Sequence, residues 1–146
     1  MRITYKTDYA LKALLDLAIH YETGVSTIND ISRRIDAPVK FMEQVLLDLK
    51  KGGFVGSKRG NAGGYSLANE PSKISLGQVV RYIEGPIEPI SCVEKGYTNC
   101  SDLSRCLFRE IWRKVSKATS DIIDNVTFGD LVEQINSKGE GFTYSI

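Results

Sequence analysis

Three cysteines lie in one short polar stretch of the chain, and their type and spacing are its clearest sign of chemistry. Cys92, Cys100 and Cys106 are separated by seven and by five residues. Thiolates are soft anionic ligands, and a loop allows three of them to converge on one centre. Because an odd number of cysteines excludes a complete disulfide framework, the stretch predicts a metal centre or redox chemistry.

The spacing of the cysteines favours an iron–sulfur cluster with one non-cysteine ligand. Structural zinc is the second interpretation, but zinc knuckles usually contain two cysteines separated by about two to four residues, and this sequence has no such pair. A reversible thiol or disulfide switch is the third. Three unrelated, inert cysteines are a weaker interpretation, because such residues are more often buried in helices than gathered in a polar loop.

No catalytic residues are predicted, and the chain is not expected to be an enzyme. A cysteine nucleophile needs a nearby base, and the only histidine, His20, lies far off in the sequence on another predicted helix. The glycine-rich run from Gly60 to Gly64 is not a phosphate-binding loop, since it lacks the Lys-Ser/Thr ending and the following helix that such a loop requires.

Basic residues concentrate in one part of the chain. The net charge is only +1, but residues 33–60 contain seven basic and three acidic side chains, a local field that attracts phosphates. Two short strands around the glycine-rich run predict a β-hairpin. Its basic tip, formed by Lys58, Arg59, Gly60 and Asn61, suits a narrow DNA minor groove, and a hairpin exposed only to solvent is the alternative.

Apolar spacing predicts helices over residues 8–22 and 28–36, and a third from Pro38 to Gly52. Two short helices joined by a tight turn are typical of a helix-turn-helix, and the second exposes Lys40, Glu43 and Gln44 near its start. Because a basic hairpin follows directly, DNA binding is favoured over a winged helix that serves only as a protein adaptor.

The C-terminal half predicts dimerisation. After a capped helix from Ser75 to Gly85, a long helix over residues 101–124 carries apolar side chains at intervals of four, four, three and four, namely Leu107, Ile111, Val115, Ala118 and Ile122. Such a seam needs a partner, so we expect a homodimer, with packing onto the first helix as the alternative. The dimer would read two half-sites about 34 Å apart in near-palindromic double-stranded DNA.

The predicted fold is mainly α with a small β-hairpin wing, a winged helix-turn-helix, plus a long C-terminal dimerisation helix. Its parts are a DNA-binding region (1–85), a cysteine loop (86–106), the dimerisation helix with a last short helix (102–136) and a flexible tail (137–146). No apolar run approaches the ~18 residues of a membrane span, and no signal peptide is recognisable. A cytoplasmic protein with no membrane partner is therefore expected.

Several motifs together resemble the IscR, NsrR and CymR family of winged-helix regulators over nearly the whole chain. They are Met1-Arg2-Ile3-Thr4, Tyr9-Ala10-Leu11, Phe41-Met42-Glu43-Gln44, Arg59-Gly60 with Gly63-Gly64-Tyr65, the three cysteines, and Leu107 with Ile111-Trp112-Arg113. The resemblance implies a dimeric repressor or activator in which residues Pro38 to Gln44 enter the major groove and Arg59 enters the minor groove. It also implies that the three cysteines bind a 2Fe-2S or 4Fe-4S cluster, whose loss or modification by iron shortage, oxidants or nitric oxide changes DNA binding.

The chain departs from IscR at the fourth cluster ligand. IscR has a histidine three residues after the last cysteine, whereas this chain has Arg109, which stays protonated and cannot coordinate. Asp8 matches the carboxylate that NsrR-like members supply from the partner subunit, and Glu110 is the second choice. An acidic residue in the first turn of a helix is also favoured by the helix dipole alone, so Asp8 has a competing structural explanation.

A second set of residues resembles CymR, a cysteine-metabolism repressor that lacks the three cysteines. These are residues 83–90 and the closing Phe142-Thr143-Tyr144-Ser145-Ile146. In CymR-like proteins a C-terminal isoleucine resembles a bait for cysteine synthase, so Ile146 is a candidate partner-binding residue, and an isoleucine at the end by chance is the alternative. A cluster-free regulator of cysteine or sulfur metabolism, or a thiol-based redox switch, is the alternative function.

Overall fold

The structure is a computed structural model and describes residues 2–139. Its helices are α1 (Tyr5–Ile19), α2 (Ile28–Ile35), α3 (Val39–Lys51), α4 (Leu76–Glu84), α5 (Leu107–Ile123) and α6 (Phe128–Lys138), and its strands are β1 (Val55–Lys58) and β2 (Gly64–Leu67). Short 3-10 turns occupy Tyr21–Thr23, Pro71–Lys73 and Ser91–Val93. The predicted fold class, mainly helical with one antiparallel hairpin, is confirmed.

The first helix begins earlier and ends earlier than its apolar spacing predicts. Thr4 is its N-cap, and the Glu84 carboxylate at the end of α4 accepts hydrogen bonds from the Thr4 backbone N–H (2.8 Å) and hydroxyl (2.6 Å). The predicted start at residue 8 is wrong because this cap comes partly from a distant element. The predicted end at residue 22 is wrong because the chain tightens into a 3-10 turn before Gly24.

Helices α2 and α3 form the expected helix-turn-helix. The Thr27 hydroxyl accepts from the Asp30 backbone N–H at 3.1 Å and caps α2. The turn passes through Asp36 in a left-handed conformation (φ 53°), which aspartate tolerates better than most residues. The predicted start of α3 at Pro38 is one residue too early, because Pro38 is the N-cap and the helix begins at Val39. The fixed φ of Pro38 suits the entry into the helix.

The β1–β2 hairpin is attached to the turn that precedes α2. Val55 pairs with Leu67 and Lys58 with Gly64. The backbones of Ser26 and Tyr65 exchange two hydrogen bonds, of 2.8 and 2.7 Å. A Cβ atom at Gly64 would lie only 2.5 Å from the Ser26 carbonyl oxygen, so this close approach requires glycine.

Helix α1 is the centre of the hydrophobic core and packs against α2, α3, α4, α6 and β2. The largest fully buried apolar side chains come from α1, α2, α3, α6 and the two segments that flank α4: Leu14, Leu17, Ile31, Met42, Leu46, Leu49, Ile74, Ile87 and Phe128. Side chains that point away from this core on α3 and the hairpin are therefore free for recognition.

Helix α5 lies largely outside this core, since Ile123 is its one buried residue. Its C-terminal end is attached to α4 by the Arg81 guanidinium, which donates to the Asp124 carboxylate and, at 3.1 Å, to the Ser120 hydroxyl. No helix within residues 2–139 is both long and apolar enough to cross a membrane.

The predicted start of α5 at residue 101 is wrong, because the helix begins at Leu107. The Arg105 and Cys106 N–H groups donate to the Asp102 carbonyl at 3.0 and 2.9 Å, which closes a turn in front of the helix. The Leu103 carbonyl, which a continuous helix would offer to the Leu107 N–H, accepts a hydrogen bond from the Arg109 side chain at 3.2 Å. The last helix extends to Lys138, slightly past the predicted residue 136.

Candidate nucleic-acid interface and cysteine loop

The outward face of α3 presents the polar residues that the sequence singles out. Pro38, Lys40, Glu43 and Gln44 are all exposed. Within the described residues, Lys40 and Glu43 form neither an ion pair nor a side-chain hydrogen bond. The start of α3 is thus an open polar surface of the kind that can contact base edges and phosphates.

Phe41 is held differently from its neighbours. Its ring packs edge-on against Tyr9 of α1, with ring centroids 5.2 Å apart, and 37% of the residue remains exposed. Aromatic pairs of this geometry stabilise packing beyond the area that they bury. Phe41 therefore attaches the start of α3 to α1 while its outer edge remains accessible.

The tip of the hairpin is exposed and basic. Lys58, Arg59, Gly60 and Asn61 are all exposed, and Gly60 has φ +106°, a conformation that favours glycine. On the strand behind them, the Ser57 hydroxyl accepts a hydrogen bond from Lys50 Nζ of α3 at 2.6 Å. This contact joins the hairpin to α3, and sequence periodicity contains no signal for it.

Arg34 is one of the seven basic residues counted in the basic stretch of residues 33–60. In the structure its side chain holds helices together and does not contribute to an open positive surface. Its guanidinium donates twice to the Asp16 carboxylate, at 2.8 Å each, and once to the Ser26 hydroxyl at 2.8 Å. Hydrogen bonding to Asp16, of which only 7% is exposed, raises the pKa of Arg34. The clamp holds α2 against α1 and against Ser26, whose backbone pairs with Tyr65 of the hairpin.

Asp48 lies behind the exposed face of α3. Its carboxylate accepts a hydrogen bond from Gln44 Nε2 at 3.1 Å and lies 2.5 Å from Lys6 Nζ of α1. Its backbone carbonyl also accepts from the Tyr82 hydroxyl of α4 at 2.8 Å. Hydrogen bonding to Lys6 lowers the pKa of Asp48 and keeps this carboxylate ionised.

The three cysteines lie between α4 and α5, at the N-terminal end of α5. Cys92 is in a 3-10 turn, Cys100 is exposed, and Cys106 is the residue before the first turn of α5. The donor types fit an iron–sulfur cluster, because three free thiols occupy one accessible loop. Among residues 2–139, however, no three Cys, His, Asp or Glu side chains are grouped as a metal site, so this arrangement of the single chain does not bring the cysteines together.

Arg109 connects the cysteine loop to α5. Its Nε donates to the Cys92 carbonyl at 3.0 Å, and its Nη1 donates to the Leu103 carbonyl at 3.2 Å. Arginine presents several donors in one rigid plane, so a single side chain can hold two separate backbone segments. The residue that cannot serve as a fourth ligand therefore acts as a clamp on the loop.

The other candidate ligands differ in their surroundings. Asp8 lies in the first turn of α1, with 44% of its side chain exposed, and forms an ion pair with the largely buried Lys12. Glu110 is exposed and pairs with Arg113 at 2.9 Å. His20 Nδ1 lies 2.8 Å from the Asp16 carbonyl oxygen at the C-terminal end of α1. Ile146 lies outside the described residues.

Comparisons with known proteins agree on the class of protein. A family model described as "Rrf2: Iron-dependent Transcriptional regulator" matches residues 3–134. The HTH-type transcriptional regulator IscR of Klebsiella pneumoniae strain 342 is 36% identical over 132 residues, which cover 90% of this chain and 80% of that protein.

Two solved structures have the same fold. CymR, the global cysteine regulator of B. subtilis, superposes with a TM-score of 0.77 at 28% identity and covers 92% of this chain and 98% of its own. IscR of T. potens superposes with a TM-score of 0.76 at 27% identity, with 99% of this chain and 95% of that chain covered. The likeness extends over the hairpin, the helix-turn-helix and α5 alike.

Proposed function

Because the chain belongs to the Rrf2 family of DNA-binding transcription regulators, which are not enzymes, we propose that it is a cytoplasmic homodimeric regulator with an iron–sulfur sensor. In this proposal α3 and the hairpin tip read a near-palindromic operator, and a cluster bound by Cys92, Cys100 and Cys106 reports iron, oxidant or nitric oxide status. The observation that carries the proposal is the position of the cysteine loop, directly before a helix that exposes an apolar stripe.

The apolar stripe on α5 supports the homodimer. Leu107 is 80% exposed, Ile111 52% and Ile122 65%, and Phe108 and Trp112 add aromatic surface beside them. Exposed apolar patches of this kind mark protein interfaces. Helix α1, the alternative support for α5, is covered by other elements, so a second copy of α5 is the partner that fits the helical repeat.

The exposed face of α3 and the basic hairpin tip support the mode of DNA binding. A helix of this kind enters the major groove, and Arg59 is suited to a narrow minor groove, where the negative potential is strong. Lys40 and Lys58 are exposed and suited to contact phosphates. Two copies related by a two-fold axis would contact successive half-sites.

Three features support the cluster. None of the three cysteine donors is fully buried, the matching family model is described as iron-dependent, and the loop adjoins the proposed dimer seam. A bound cluster would supply a centre that is sensitive to iron supply, oxidants and nitric oxide. Cys92, Cys100 and Cys106 would hold it, with Asp8 of the second copy as the fourth ligand. Because Asp8 pairs with Lys12 in the single chain, this role requires that ion pair to open or to share the carboxylate.

The test is an absorption spectrum and an iron count after anaerobic purification, with the Cys106→Ser and Asp8→Ala variants alongside the wild type. We expect a coloured, iron-containing wild type, loss of iron in Cys106→Ser, and a changed spectrum in Asp8→Ala. Glu133→Gln, which alters an exposed acid on α6, is the matched control and should retain the wild-type spectrum. A cluster that is unaltered in Asp8→Ala would remove Asp8 from the ligand set.

A second candidate, a cluster-free regulator of cysteine metabolism or a thiol switch, is favoured by the Arg109 clamp, which keeps the loop in place without a metal. This candidate expects a colourless, iron-free protein that still binds operator DNA. It also gives Ile146 a role in binding cysteine synthase. Adding one residue after Ile146 should then abolish capture of cysteine synthase, because the free carboxylate would be displaced.

A further inference from the structure

The amide of Gln44 is oriented before any DNA is bound. Gln44 is exposed on α3, and its Nε2 donates to Asp48 Oδ1, one helical turn further along, at 3.1 Å. An ionised carboxylate has no hydrogen to donate, so the amide nitrogen, and not the amide oxygen, must face Asp48. The amide oxygen and the second N–H of Gln44 remain available on the outer face of the helix.

Asp48 can impose this orientation because groups from two other helices hold it in place. Lys6 Nζ of α1 lies 2.5 Å from its other carboxylate oxygen, and Tyr82 of α4 donates to its backbone carbonyl at 2.8 Å. Only 19% of the Asp48 side chain is exposed. A freely rotating glutamine would lose rotamer entropy on binding, whereas this one is partly ordered beforehand.

The groups left available on Gln44 match one kind of base. In the major groove, adenine presents the N7 acceptor beside the N6 amino donor, and a glutamine amide contacts both with its N–H and its oxygen. In that pairing, the N–H on the same side as the amide oxygen contacts the base, which leaves the other N–H of the same nitrogen for Asp48 Oδ1. Both interactions therefore fit one amide at the same time.

We propose that Asp48, supported by Lys6, is a positioning residue that presets Gln44 to recognise an adenine in the major groove. The proposal rests on the proposed use of α3 as the major-groove helix. It assigns specificity to two residues that need not contact a base themselves. Neither Asp48 nor Lys6 is recognisable as such from the sequence, because they act through Gln44.

The experiment measures base discrimination. Duplexes are first selected from random DNA with the wild-type dimer, and each A·T pair of the enriched half-site is then changed to G·C. For the wild type we expect one A·T position whose change weakens binding about tenfold. In Gln44→Ala and in Asp48→Asn, the loss at that position should shrink to about twofold, while the dependence of binding on salt concentration stays unchanged.

Two comparisons separate positioning from general damage to the fold. In the double variant with both Gln44→Ala and Asp48→Asn, changing the A·T pair to G·C should weaken binding as much as it does in Gln44→Ala alone. The reason is that Asp48 acts only through Gln44. Lys6→Met should reduce the discrimination between A·T and G·C at that position. Lys6→Arg should retain the wild-type value, since arginine keeps the ion pair with Asp48. Glu133→Gln removes a carboxylate from α6 and should behave as the wild type at every position.

The outcomes also distinguish this inference from the proposed function. If Gln44→Ala loses discrimination while Asp48→Asn keeps the wild-type value, the positioning role is overturned and α3 remains the reading helix. If Gln44→Ala keeps full discrimination at every A·T position, both the preset amide and the proposed contact of Gln44 with a base are overturned.

Discussion

Arg109 shows how one side chain can change the meaning of a motif. It occupies the position at which IscR has a histidine, and its side chain donates hydrogen bonds to the backbone carbonyls of Cys92 and Leu103. A guanidinium remains protonated under all physiological conditions, so its contribution here is hydrogen bonding to the backbone and not coordination. The loop that carries the thiols is therefore held to α5 by a group that needs no metal.

We expect the Arg109→Ala variant to release the segment around Cys92. In the metal-free protein, the rate at which iodoacetamide alkylates Cys92 should rise several-fold, while the rate for the already exposed Cys100 should stay unchanged. Peptide mass spectrometry over time measures both rates in one sample. Arg113→Ala, which removes a neighbouring arginine that pairs with Glu110, is the control. Equal Cys92 rates in Arg109→Ala and the wild type would contradict the clamp.

At the scale of elements, the hairpin depends on its close contact with the turn before α2. The Ser26–Tyr65 hydrogen bonds and the Lys50–Ser57 contact together set the position of the basic tip relative to α3. A protein that contacts both DNA grooves needs a fixed distance between the hairpin tip and α3. A displaced tip would miss the minor groove when α3 lies in the major groove. Glycine at position 64 makes the contact possible.

The Gly64→Ala variant should therefore destabilise the protein and weaken DNA binding. The added methyl would sit 2.5 Å from the Ser26 carbonyl oxygen, and overpacking of this kind costs about 1–3 kcal/mol of unfolding free energy. Gly56→Ala in the same hairpin is the matched control, because no atom lies within 4 Å of its added carbon. Urea denaturation and operator titration measure the two effects. Equal stability of the two variants would show that the hairpin adjusts freely.

At the scale of the whole molecule, α5 connects the cysteine loop to α4. Its N-terminal end carries the cysteine loop, its exposed stripe forms the proposed dimer seam, and its C-terminal end is attached to α4 through Arg81 and Asp124. Hydrogen bonding to Asp124 raises the pKa of Arg81, so this link keeps its charge throughout the physiological range. The cysteine loop is thus connected through α5 to α4, which packs against α1.

The Ile111→Glu variant should dissociate the proposed dimer. A charge placed in the centre of the apolar stripe would be buried without a partner in the seam, which is strongly unfavourable. Sedimentation velocity should show a monomer, and affinity for a duplex with both half-sites should fall much more than affinity for a single half-site. Lys117→Glu, on another face of α5, should remain dimeric. A dimer that survives Ile111→Glu would place the interface elsewhere.

The sequence by itself determined the features that depend on local chemistry. Helix periodicity, N-caps such as Thr27 and Ser75, and the glycine-rich turn depend on neighbours within a few residues, so the helix-turn-helix, the hairpin and the outward face of α3 could all be predicted. The three clustered cysteines could likewise be identified as candidate ligands from residue type and spacing alone. These predictions needed no knowledge of how the elements pack.

Only the tertiary structure decided which side chains fix these elements to one another. The cap that Glu84 provides to α1, the Arg34–Asp16 clamp, the support of Gln44 by Asp48 and Lys6, and the capture of the Leu103 carbonyl by Arg109 all depend on the packed chain. Most of these partners lie far apart in sequence, and a single long-range hydrogen bond leaves no periodic pattern. The cysteine loop was therefore visible from the sequence, but its attachment to α5 was not.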